Sequence, residues 1–322
     1  MILAGIDEAG YGPILGPLVV GCCAFELDAD PAGELPCLWK KLGKVVGQKR
    51  SRDGRKLHIN DSKQVYSPSA GLKELERSIL ALASAAKSHC DRLDDLIALA
   101  APDVLRDMGN YRWYSAGEAE TFPLEQDAMS VRLIANALRI EMDRAQTRCV
   151  HLTARVMLER ELNRMFDATR NKSDSLFSIA AIHLDHLLRN FSDRGLVIFC
   201  DRQGGREHYG RLLRLMFEDW SLEVLREKDG HSEYRLTNDN RSARLIFCEK
   251  AESRCMSVAV ASMLSKYLRE ALMRRFNAFW REHLPQITPT AGYYTDGMRF
   301  LQDIAIKREE LGIRDAEMIR SR

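Results

Sequence analysis

The chain lacks the cysteine patterns that mark zinc fingers and redox-active thiol pairs. Its eight cysteines include no C-x-x-C pair, and none has a zinc-like spacing to a histidine. Cysteines without such spacing fit reduced thiols in a cytosolic protein best. The cysteine usage therefore predicts a cytoplasmic location.

Long hydrophobic runs and export signals are also missing. No segment approaches the ~18 consecutive apolar residues of a transmembrane helix. The N-terminus lacks a basic stretch followed by an apolar one. The sequence therefore predicts a soluble protein that is neither exported nor bound to a membrane.

An excess of charge of one sign is absent as well. Forty-eight basic residues against 46 acidic ones leave a formal net charge of +2, so an argument for a nucleic-acid partner has to come from local patches. Apolar residues make up 45% of the 322 residues, which is enough for a sizeable core. We expect a single domain with insertions, since length alone sets only a soft prior on domain number.

The chain does have two adjacent carboxylates at the end of an apolar opening stretch. Residues 2–6 are apolar or glycine, Asp7 and Glu8 follow, and Gly10 and Gly12 then form a glycine-rich turn. A short apolar segment that ends at glycine and proline predicts a buried strand. Ionised carboxylates at such a place are costly unless they are paired or bound to a cation. A divalent metal is the simplest partner.

Further strands are predicted along the chain. Residues 15–25 should return as a hairpin partner of the first strand, and residues 196–201 form another buried strand that ends in a carboxylate. Between residues 222 and 248, polar and apolar residues alternate, with two turn signals, the first of them at Asp229-Gly230. This pattern predicts three antiparallel strands.

Helical periodicity of apolar residues marks several segments, which should cover the sheet. These segments are residues 72–82, 124–149, 176–191 and 256–280. Residues 26–60 are predicted to form a long exposed loop, and residues 93–123 an irregular insertion. The fold class is therefore predicted to be α/β, with a helical region at the C-terminus.

Four acidic residues lie at the edges of predicted buried elements. They are Asp7, Glu8, Asp201 and Glu252, the last of which directly precedes a long predicted helix. Converging carboxylates are what hard cations such as Mg²⁺ or Mn²⁺ require. Two such ions about 3.5–4 Å apart can activate a water molecule and stabilise the leaving oxygen of a phosphodiester. The four acids therefore predict a two-metal phosphodiester site.

One geometric condition applies to the first two acids. Neighbouring residues of a regular strand point to opposite faces, so Asp7 and Glu8 serve one site only if the strand bends there. Gly10 and Gly12 would allow such a bend. A single strand-end acid is more often solvated or salt-bridged, and it is the combination of four that favours a metal site.

The Gly10-x-Gly12 turn has one competing interpretation, a dinucleotide-binding fingerprint. Pro13, the strand-like sequence that follows, and the absence of a third glycine at the expected place argue against it. A turn with accessible backbone amides can still contact a phosphate or a sugar, because glycine permits close approach.

Several motifs, in this order, resemble those of the type 2 ribonucleases H, the family of ribonucleases HII and HIII. Residues 5–13 (GIDEAGYGP) look like the opening signature of the family, and residues 60–63 (NDSK) resemble its D-S-K motif. Residues 250–252 (KAE) and 261–270 (ASMLSKYLRE) are similar to the family's K-G-D and A-S-I-x-A-K-x-x-R-D stretch. Residues 292–295 (GYYT) resemble its G-Y-x-T motif. These ordered motifs span nearly the whole chain.

The resemblance implies a ribonuclease H-like mixed sheet flanked by helices. It implies hydrolysis of the RNA strand of RNA/DNA hybrids, or of ribonucleotides embedded in duplex DNA, with two Mg²⁺ or Mn²⁺ ions as cofactors. It leaves protein partners open. The implied catalytic and metal-binding residues are Asp7, Glu8, Asp201 and Glu252. The implied nucleic-acid-binding residues are Gly10, Tyr11, Gly12, Lys63, Lys266 and Tyr293.

The chain departs from the family pattern at several positions. Tyr11 stands where ribonuclease HII usually has arginine and ribonuclease HIII has threonine, and Glu252 replaces the usual aspartate. Asp296 and Met298 stand where lysine and histidine commonly follow the G-Y-x-T motif. The chain is also longer than a plain ribonuclease HII. The predicted insertions are about 27–58, 90–190 and 220–247, with the helical C-terminal region at about 256–322.

Two further groups have simpler interpretations. His183 and His186, one helical turn apart, have no apparent third metal ligand and are interpreted as a solvated helix face. Tyr111, Trp113 and Tyr114 are interpreted as aromatic packing within a loop rather than as a surface that stacks on bases.

The leading hypothesis is a metal-dependent endoribonuclease that leaves a 5′-phosphate and a 3′-hydroxyl. One alternative is a non-catalytic nucleic-acid-binding protein of the same fold, in which the changes at Tyr11, Glu252 and Met298 have eroded the chemistry. The other is a nuclease of that fold that acts on structured DNA. Binding of duplex without metal at the four acids would favour the first alternative, and indifference to the ribose 2′-hydroxyl would favour the second.

Overall fold

Seven strands form one mixed sheet in the computed structural model, which describes residues 1–86, 90–115, 120–228 and 230–321. Two short strands, β3 and β4, pair with each other outside it. The strands are β1 (Ile2–Ala9), β2 (Leu18–Leu27), β3 (Val46–Gly47), β4 (Leu57–His58), β5 (Thr147–Met157), β6 (Leu196–Asp201), β7 (Ser221–Lys228), β8 (His231–Asn238) and β9 (Arg241–Cys248).

The order across the sheet is β5-β2-β1-β6-β9-β8-β7. Strand β1 pairs in parallel with β6, and β6 pairs in parallel with β9, whereas β2 and β8 run antiparallel to their neighbours. Strands β1 and β2 are buried on both faces, which explains why their sequences are continuous apolar runs rather than alternating patterns. The carboxyl ends of β1, β6 and β9 meet at one edge of the sheet.

Helices cover both faces of the sheet. In chain order they are α1 (Leu38–Lys41), α2 (Ser62–Val65), α3 (Lys73–Ala85), α4 (Leu93–Ala100), α5 (Pro102–Met108), α6 (Ala128–Arg144), α7 (Glu159–Thr169), α8 (Lys172–Phe191), α9 (Gly210–Met216), α10 (Ala251–Arg254), α11 (Met256–His283), α12 (Tyr294–Asp303), α13 (Ala305–Glu310) and α14 (Asp315–Met318). The predicted α/β fold, a mixed sheet flanked by helices with a helical C-terminal region, is confirmed.

Helix α11 packs directly on β1 and β2 because the facing strand residues are glycines. A Cβ atom at Gly5 would lie 2.2 Å from the backbone nitrogen of Val258, and one at Gly21 would lie 2.5 Å from the carbonyl oxygen of Ala261. Ser257 Oγ donates a hydrogen bond of 2.8 Å to the carbonyl of Leu3. This close approach brings the first turns of α11 beside the end of β1.

The opposite face of the sheet forms a second core beneath α8. Side chains of β1, β2 and β6 pack there against apolar residues of the helix, with Ile6, Cys22 and Cys200 among the strand residues and Phe177 and Leu184 among the helical ones. Alternate strand residues therefore serve two cores, one on each face. Among the described residues, no helix combines the length and the apolar character needed to cross a bilayer.

Several local predictions are wrong. The segment predicted as a helix to residue 149 ends its helix at Arg144, and β5 begins at Thr147. Gln146 takes a left-handed conformation (φ 47°), and β-branched residues then recur along the strand at Thr147, Val150, Thr153 and Val156. Strand β5 is an edge strand of the main sheet. Residues 93–123 are not irregular throughout, since they contain α4 and α5.

The predicted exposed loop at residues 26–60 is partly a packed element. Trp39 and Leu42 are buried, and Trp39 Nε1 donates a 2.9 Å hydrogen bond to the carbonyl of Ile59.

The three predicted antiparallel strands are confirmed as β7, β8 and β9, while the turn residue Asp229 lies outside the described residues. Strand β9 lies beside β6 in the sheet, so these three strands adjoin the strand that ends at Asp201.

Of the two simpler interpretations, one is confirmed and one is wrong. Tyr111, Trp113 and Tyr114 are buried and lie with their ring centroids 5.5–6.1 Å apart, so aromatic packing is confirmed. His183 is only 4% exposed. It lies in the core under α8 rather than on a solvated face, whereas His186 is exposed.

Candidate metal centre

The pairing of β1 with β6 brings two of the predicted acids side by side. Ile6 is opposite Cys200 in the parallel register, so Asp7 and Asp201 occupy the next positions on adjacent strands. Asp7 is only 9% exposed. Burial raises its pKa well above the usual range, and the charges of Glu8 and Asp201 raise it further.

The first two acids reach one site without a bend between them. Strand pairing continues regularly through Asp7 and Glu8 to the pair Ala9–Val19, and the chain turns only afterwards, at Gly10 (φ 89°). The expectation that the strand must bend at the acids is therefore wrong. The charge of Asp201 acts on both carboxylates, and the pairing of β1 with β6 ends just before them, at Ile6–Cys200.

Glu8 is a half-buried acid with an unsatisfied oxygen. Its Oε2 atom is buried and has no hydrogen-bond partner among the described residues. Burial raises the pKa of Glu8 to about 7, and the charge of Asp201 adds to this effect, while that of Lys63 opposes it. An oxygen of this kind is costly to bury unless it receives a ligand.

Glu252 reaches the cluster from the loop that follows β9. Lys250 takes a left-handed conformation (φ 54°), and the short helix α10 starts at the next residue. The backbone N–H of Ala251 donates a 3.1 Å hydrogen bond to Asp201 Oδ1, which fixes this turn against β6. Burial raises the pKa of Glu252, and the charges of Asp201 and Asp61 raise it further.

Lys63 is the cation that faces the acids. It lies on α2, whose N-terminus is capped by Asp61, and Ser62 accepts a 3.0 Å hydrogen bond from Ser262 of α11. Its positive charge counteracts the raised pKa values of Glu8, Asp201 and Glu252. Lys63 therefore acts on three of the four predicted acids, and Asp7 is linked to them through Glu8 and Asp201.

The cluster fits a divalent cation on two observations. Burial raises the pKa values of Asp7, Glu8 and Asp201, the charge of Asp201 raises those of Asp7 and Glu8 further, and one buried oxygen has no donor in the described part of the chain. No three of the four acids bring oxygens within 4.8 Å of one another, as far as the described residues show. Ligands of two ions about 3.5–4 Å apart spread over a wider span than that.

The glycine turn has one packed and one open position. A Cβ at Gly10 would lie 2.6 Å from the carbonyl oxygen of Pro17 and 2.7 Å from Cδ of Arg269, so only glycine fits there. A Cβ at Gly12 would meet nothing within 4 Å. Gly12 therefore leaves the backbone open to a ligand, whereas Gly10 seats the turn on α11.

Tyr11 lies between the acids and two arginines. Burial raises the pKa of its phenol, the charge of Glu8 adds to this, and the charges of Arg206 and Arg320 oppose it. Its hydroxyl lies 3.6 Å from where a Cβ of Gly204 would be. Tyr11 is half-buried, so its hydroxyl lies at the rim of the cluster rather than in the solvent.

The two remaining predicted contacts differ in accessibility. Tyr293 is 51% exposed and stands over Arg269, whose guanidinium lies 5.6 Å from the ring centroid. Lys266 Nζ donates a 2.7 Å hydrogen bond to Glu270 and lies 4.5 Å from the ring centroid of Tyr66. Tyr293 thus presents an open ring, whereas the ammonium of Lys266 is held by a carboxylate.

Two arginines beside the site, Arg320 and Arg269, were not predicted from the sequence. Arg320 donates hydrogen bonds to the carbonyls of Gly10 and Tyr11, the second at 3.1 Å. Arg269 is fully buried, and its Nη2 donates at 2.8 Å to the carbonyl of Ala291, next to the G-Y-x-T motif. Arg269 stood in a matched motif and could have been singled out. No local signal marks Arg320.

The departure at Asp296 has a structural role. Its Oδ2 accepts hydrogen bonds from Thr290 Oγ1 at 2.6 Å and from the backbone N–H of Ala291 at 2.8 Å. Its Oδ1 accepts from Arg299 at 2.8 Å. Asp296 therefore holds the loop that carries Tyr293, while Met298 is 40% exposed beside it.

Comparison with known proteins finds the family resemblance again in one stretch. A curated ribonuclease HII from Methanocaldococcus jannaschii is 56% identical to this chain over 43 residues, which are 13% of this chain and 16% of the relative. No protein-family model matches the chain. The match confirms the predicted resemblance to the type 2 ribonucleases H, which are hydrolases.

Solved structures with some similarity carry related names. The ribonuclease HII of Archaeoglobus fulgidus, solved in a complex with PCNA, has a TM-score of 0.42 at 14% identity, covering 100% of this chain and 95% of that one. The ribonuclease H2 of Pyrococcus horikoshii has a TM-score of 0.43 at 13% identity, covering 99% and 92%. Bst-RNase HIII in complex with Mn²⁺ has a TM-score of 0.41 at 13% identity, covering 99% and 66%.

Proposed function

We propose that this protein is a metal-dependent endoribonuclease that hydrolyses the RNA strand of RNA/DNA hybrids or ribonucleotides embedded in duplex DNA. The observation that carries the proposal is the cluster of buried, mutually repelling carboxyl groups at the ends of β1 and β6, with the unpartnered oxygen of Glu8. The local identity to a ribonuclease HII supports the same activity.

The four acids would hold the cofactor, two Mg²⁺ or Mn²⁺ ions. When bound, such ions supply activation of a water molecule and stabilisation of the leaving 3′-oxygen, which yields a 5′-phosphate and a 3′-hydroxyl. The chain itself supplies the oxygens. Asp7 and Asp201 come from adjacent strand ends, Glu8 from the other side of β1, and Glu252 from the turn fixed by the Ala251–Asp201 hydrogen bond.

The substrate would lie across the glycine turn. The open backbone at Gly12 and the hydroxyl of the half-buried Tyr11 would contact a ribose 2′-hydroxyl, the group that distinguishes RNA from DNA. Lys63 would contact a phosphate next to the reacting one. The exposed ring of Tyr293 would stack on a sugar or base near the junction.

Three duplexes test the activity: an RNA/DNA hybrid, a DNA duplex with one ribonucleotide, and an all-DNA duplex. We expect Mn²⁺- or Mg²⁺-dependent cleavage of at least one of the first two and none of the third, with 3′-hydroxyl ends. The Asp7→Asn variant, purified in the same way, controls for contaminating nuclease. Cleavage of the all-DNA duplex at an equal rate, or equal activity of the variant, would overturn the proposal.

A further inference from the structure

A cluster of one cysteine and two histidines lies where β2, β5 and α8 meet, and it includes none of the four acids. Cys22 belongs to β2, His151 to β5 and His183 to α8. Each offers one ligand atom, and these atoms all lie within 4.8 Å of one another. The cluster plays no part in the proposed hydrolysis.

Strand register places the first two residues on one face. Cys22 is opposite Thr153, and Ala24 is opposite His151, so Cys22 and His151 are diagonal neighbours across the pair. Cys22 and Ala24 point into the core under α8, and His183 reaches the same core from the helix. Residues 129 positions apart along the chain therefore meet through the fold alone, which explains why no sequence spacing revealed them.

The tautomer of His183 suits a metal ligand. Its Nε2 atom lies 2.9 Å from the carbonyl oxygen of Val20. Because a carbonyl only accepts, Nε2 carries the proton and Nδ1 keeps a free lone pair. An imidazole that donates its other N–H to a backbone carbonyl is the usual second-shell arrangement of metal-binding histidines.

The ring of His151 is held in place by two contacts. It stacks on the ring of His186, with the centroids 4.3 Å apart and the planes at 15°, and its Nε2 lies 2.9 Å from Thr153 Oγ1. Burial lowers the pKa of His151 to about 3 and that of His183 to about 4. Both imidazoles are therefore neutral near pH 7, as metal ligands must be.

We propose that Cys22, His151 and His183 form a zinc site that joins the edge strand β5 to β2 and α8. One thiolate and two imidazoles are a donor set that suits this borderline-soft ion, with a fourth position left for water. Zn–S and Zn–N bonds of about 2.3 and 2.0–2.1 Å put ligand atoms about 3.3–3.6 Å apart. The ligand atoms lie up to 4.8 Å apart, so side-chain rotations that bring them closer by roughly 1 Å would reach these distances.

Binding requires the loss of one proton. Burial raises the pKa of the Cys22 thiol, so zinc replaces this proton when the Zn–S bond forms, and the proton is released to the solvent. The positive charge of Arg155 acts on His183, and Arg155 is paired with Asp103. Zinc binding therefore adds one cation near Arg155, whose positive charge is already compensated by Asp103.

Cobalt titration of the metal-stripped full-length protein, with excess Mg²⁺ to occupy the acidic cluster, tests the proposal. We expect one equivalent of Co²⁺ to give a thiolate-to-cobalt charge-transfer band, and one equivalent of Zn²⁺ to displace it. The His151→Gln variant, altered at a partly exposed position, and the Cys22→Ser variant should lose the band. Zinc affinity of the His151→Gln variant should fall at least about tenfold.

Two control variants separate this site from other ligands. Cys37→Ser removes an exposed thiol, and Asp7→Asn alters the acidic cluster. Both should keep the band. Absence of the band in the unaltered protein would overturn the proposal, as would its persistence in a folded His151→Gln variant or its loss in Cys37→Ser. Circular dichroism of each variant establishes that it is folded.

Discussion

Glu76 and Glu8 are glutamates that each have a buried carboxylate oxygen, and the surroundings of the two oxygens are opposite. Glu76 is fully buried, and its carboxylate accepts hydrogen bonds from the backbone N–H groups of residues 124, 125 and 126, at 2.6, 2.8 and 2.7 Å. The hydroxyl of Tyr267 donates a fourth, at 2.6 Å. Glu8 lies among other carboxyl groups and has an oxygen without a donor in the described chain.

The difference separates a structural carboxylate from one that awaits a ligand. Four donors compensate the charge of Glu76 and tie α3 to the loop before α6 and to α11, so the fold is complete there. At Glu8 the compensation is incomplete without a cation. Substitutions at the two places should therefore change different quantities: activity and metal binding at the acidic cluster, and stability at Glu76.

The largest expected effect is on catalysis. Asp7→Asn should lower the cleavage rate of a hybrid substrate about 1000-fold or more, since loss of even a second-shell partner of a metal costs about 10–100-fold. Its thermal stability without metal should not fall, because a repelling charge is removed. Asp28→Asn, at an exposed aspartate, is the matched control and should keep full activity.

The next effect is a pH dependence of stability without metal. Glu8 has a pKa of about 7 in the folded protein against 4.5 in the unfolded chain, so between these values the folded state holds a proton that the unfolded state has lost. The free energy of unfolding should therefore fall as pH rises from about 4.5 to about 7, by up to about 3 kcal/mol.

Urea unfolding at several pH values, in the parent and in Glu8→Gln, isolates this contribution. The variant should lack it, so the difference between the two proteins should grow in the variant's favour as the pH rises. Mn²⁺ should restore the stability of the parent at pH 7, because it binds the ionised carboxylates. A difference that does not vary with pH would contradict this account of Glu8.

The contrasting glutamate provides the third test. Glu76→Gln should lower the free energy of unfolding by about 2 kcal/mol. Both carboxylate oxygens of Glu76 accept hydrogen bonds, and the amide of glutamine would replace one of these oxygens with an NH₂ group that faces other donors. Glu74→Gln, two residues before Glu76 on α3 and paired with the exposed Arg50, should cost less than about 1 kcal/mol. Neither change should lower the metal-saturated cleavage rate of the folded protein, and a loss comparable to that of Asp7→Asn would erase the distinction.

The smallest expected effect is at the substrate contact. Tyr293→Ala should raise KM about 5- to 10-fold, since stacking on one base is worth about 1–3 kcal/mol, with little change in kcat. Tyr293→Phe preserves the ring and should stay near the parent value. If phenylalanine proves as harmful as alanine, the contact is a hydrogen bond of the hydroxyl and not stacking.

The opening strand and the acids could be predicted because their signals are local. An apolar run that ends in carboxylates indicates a buried strand and a charged edge, and the register of β1 with β6 then joins Asp7 to Asp201. Strand β5 was not predicted because helix α6 ends at Arg144 and the strand begins only three residues later, at Thr147. Gln146 alone marks the change from helix to strand.

Other parts of the site could not be predicted because their contacts join distant positions. Arg320 donates a hydrogen bond to the carbonyl of Gly10, which lies 310 positions away in the glycine turn. The local sequence around either residue does not indicate this contact. The Cys22, His151 and His183 cluster depends on strand register and on the seating of α8. The unsatisfied oxygen of Glu8 is likewise a property of the folded surroundings, since the sequence does not indicate which carboxylate receives donors.

Anomalous diffraction from a crystal soaked in Mn²⁺ shows whether the four acids bind metal. We expect manganese density in contact with the carboxyl oxygens of Asp7 and Asp201, with Glu8 and Glu252 as further ligands, and no such density in Asp7→Asn. Manganese that binds elsewhere while these four acids stay free, at a concentration that supports cleavage, would contradict this expectation.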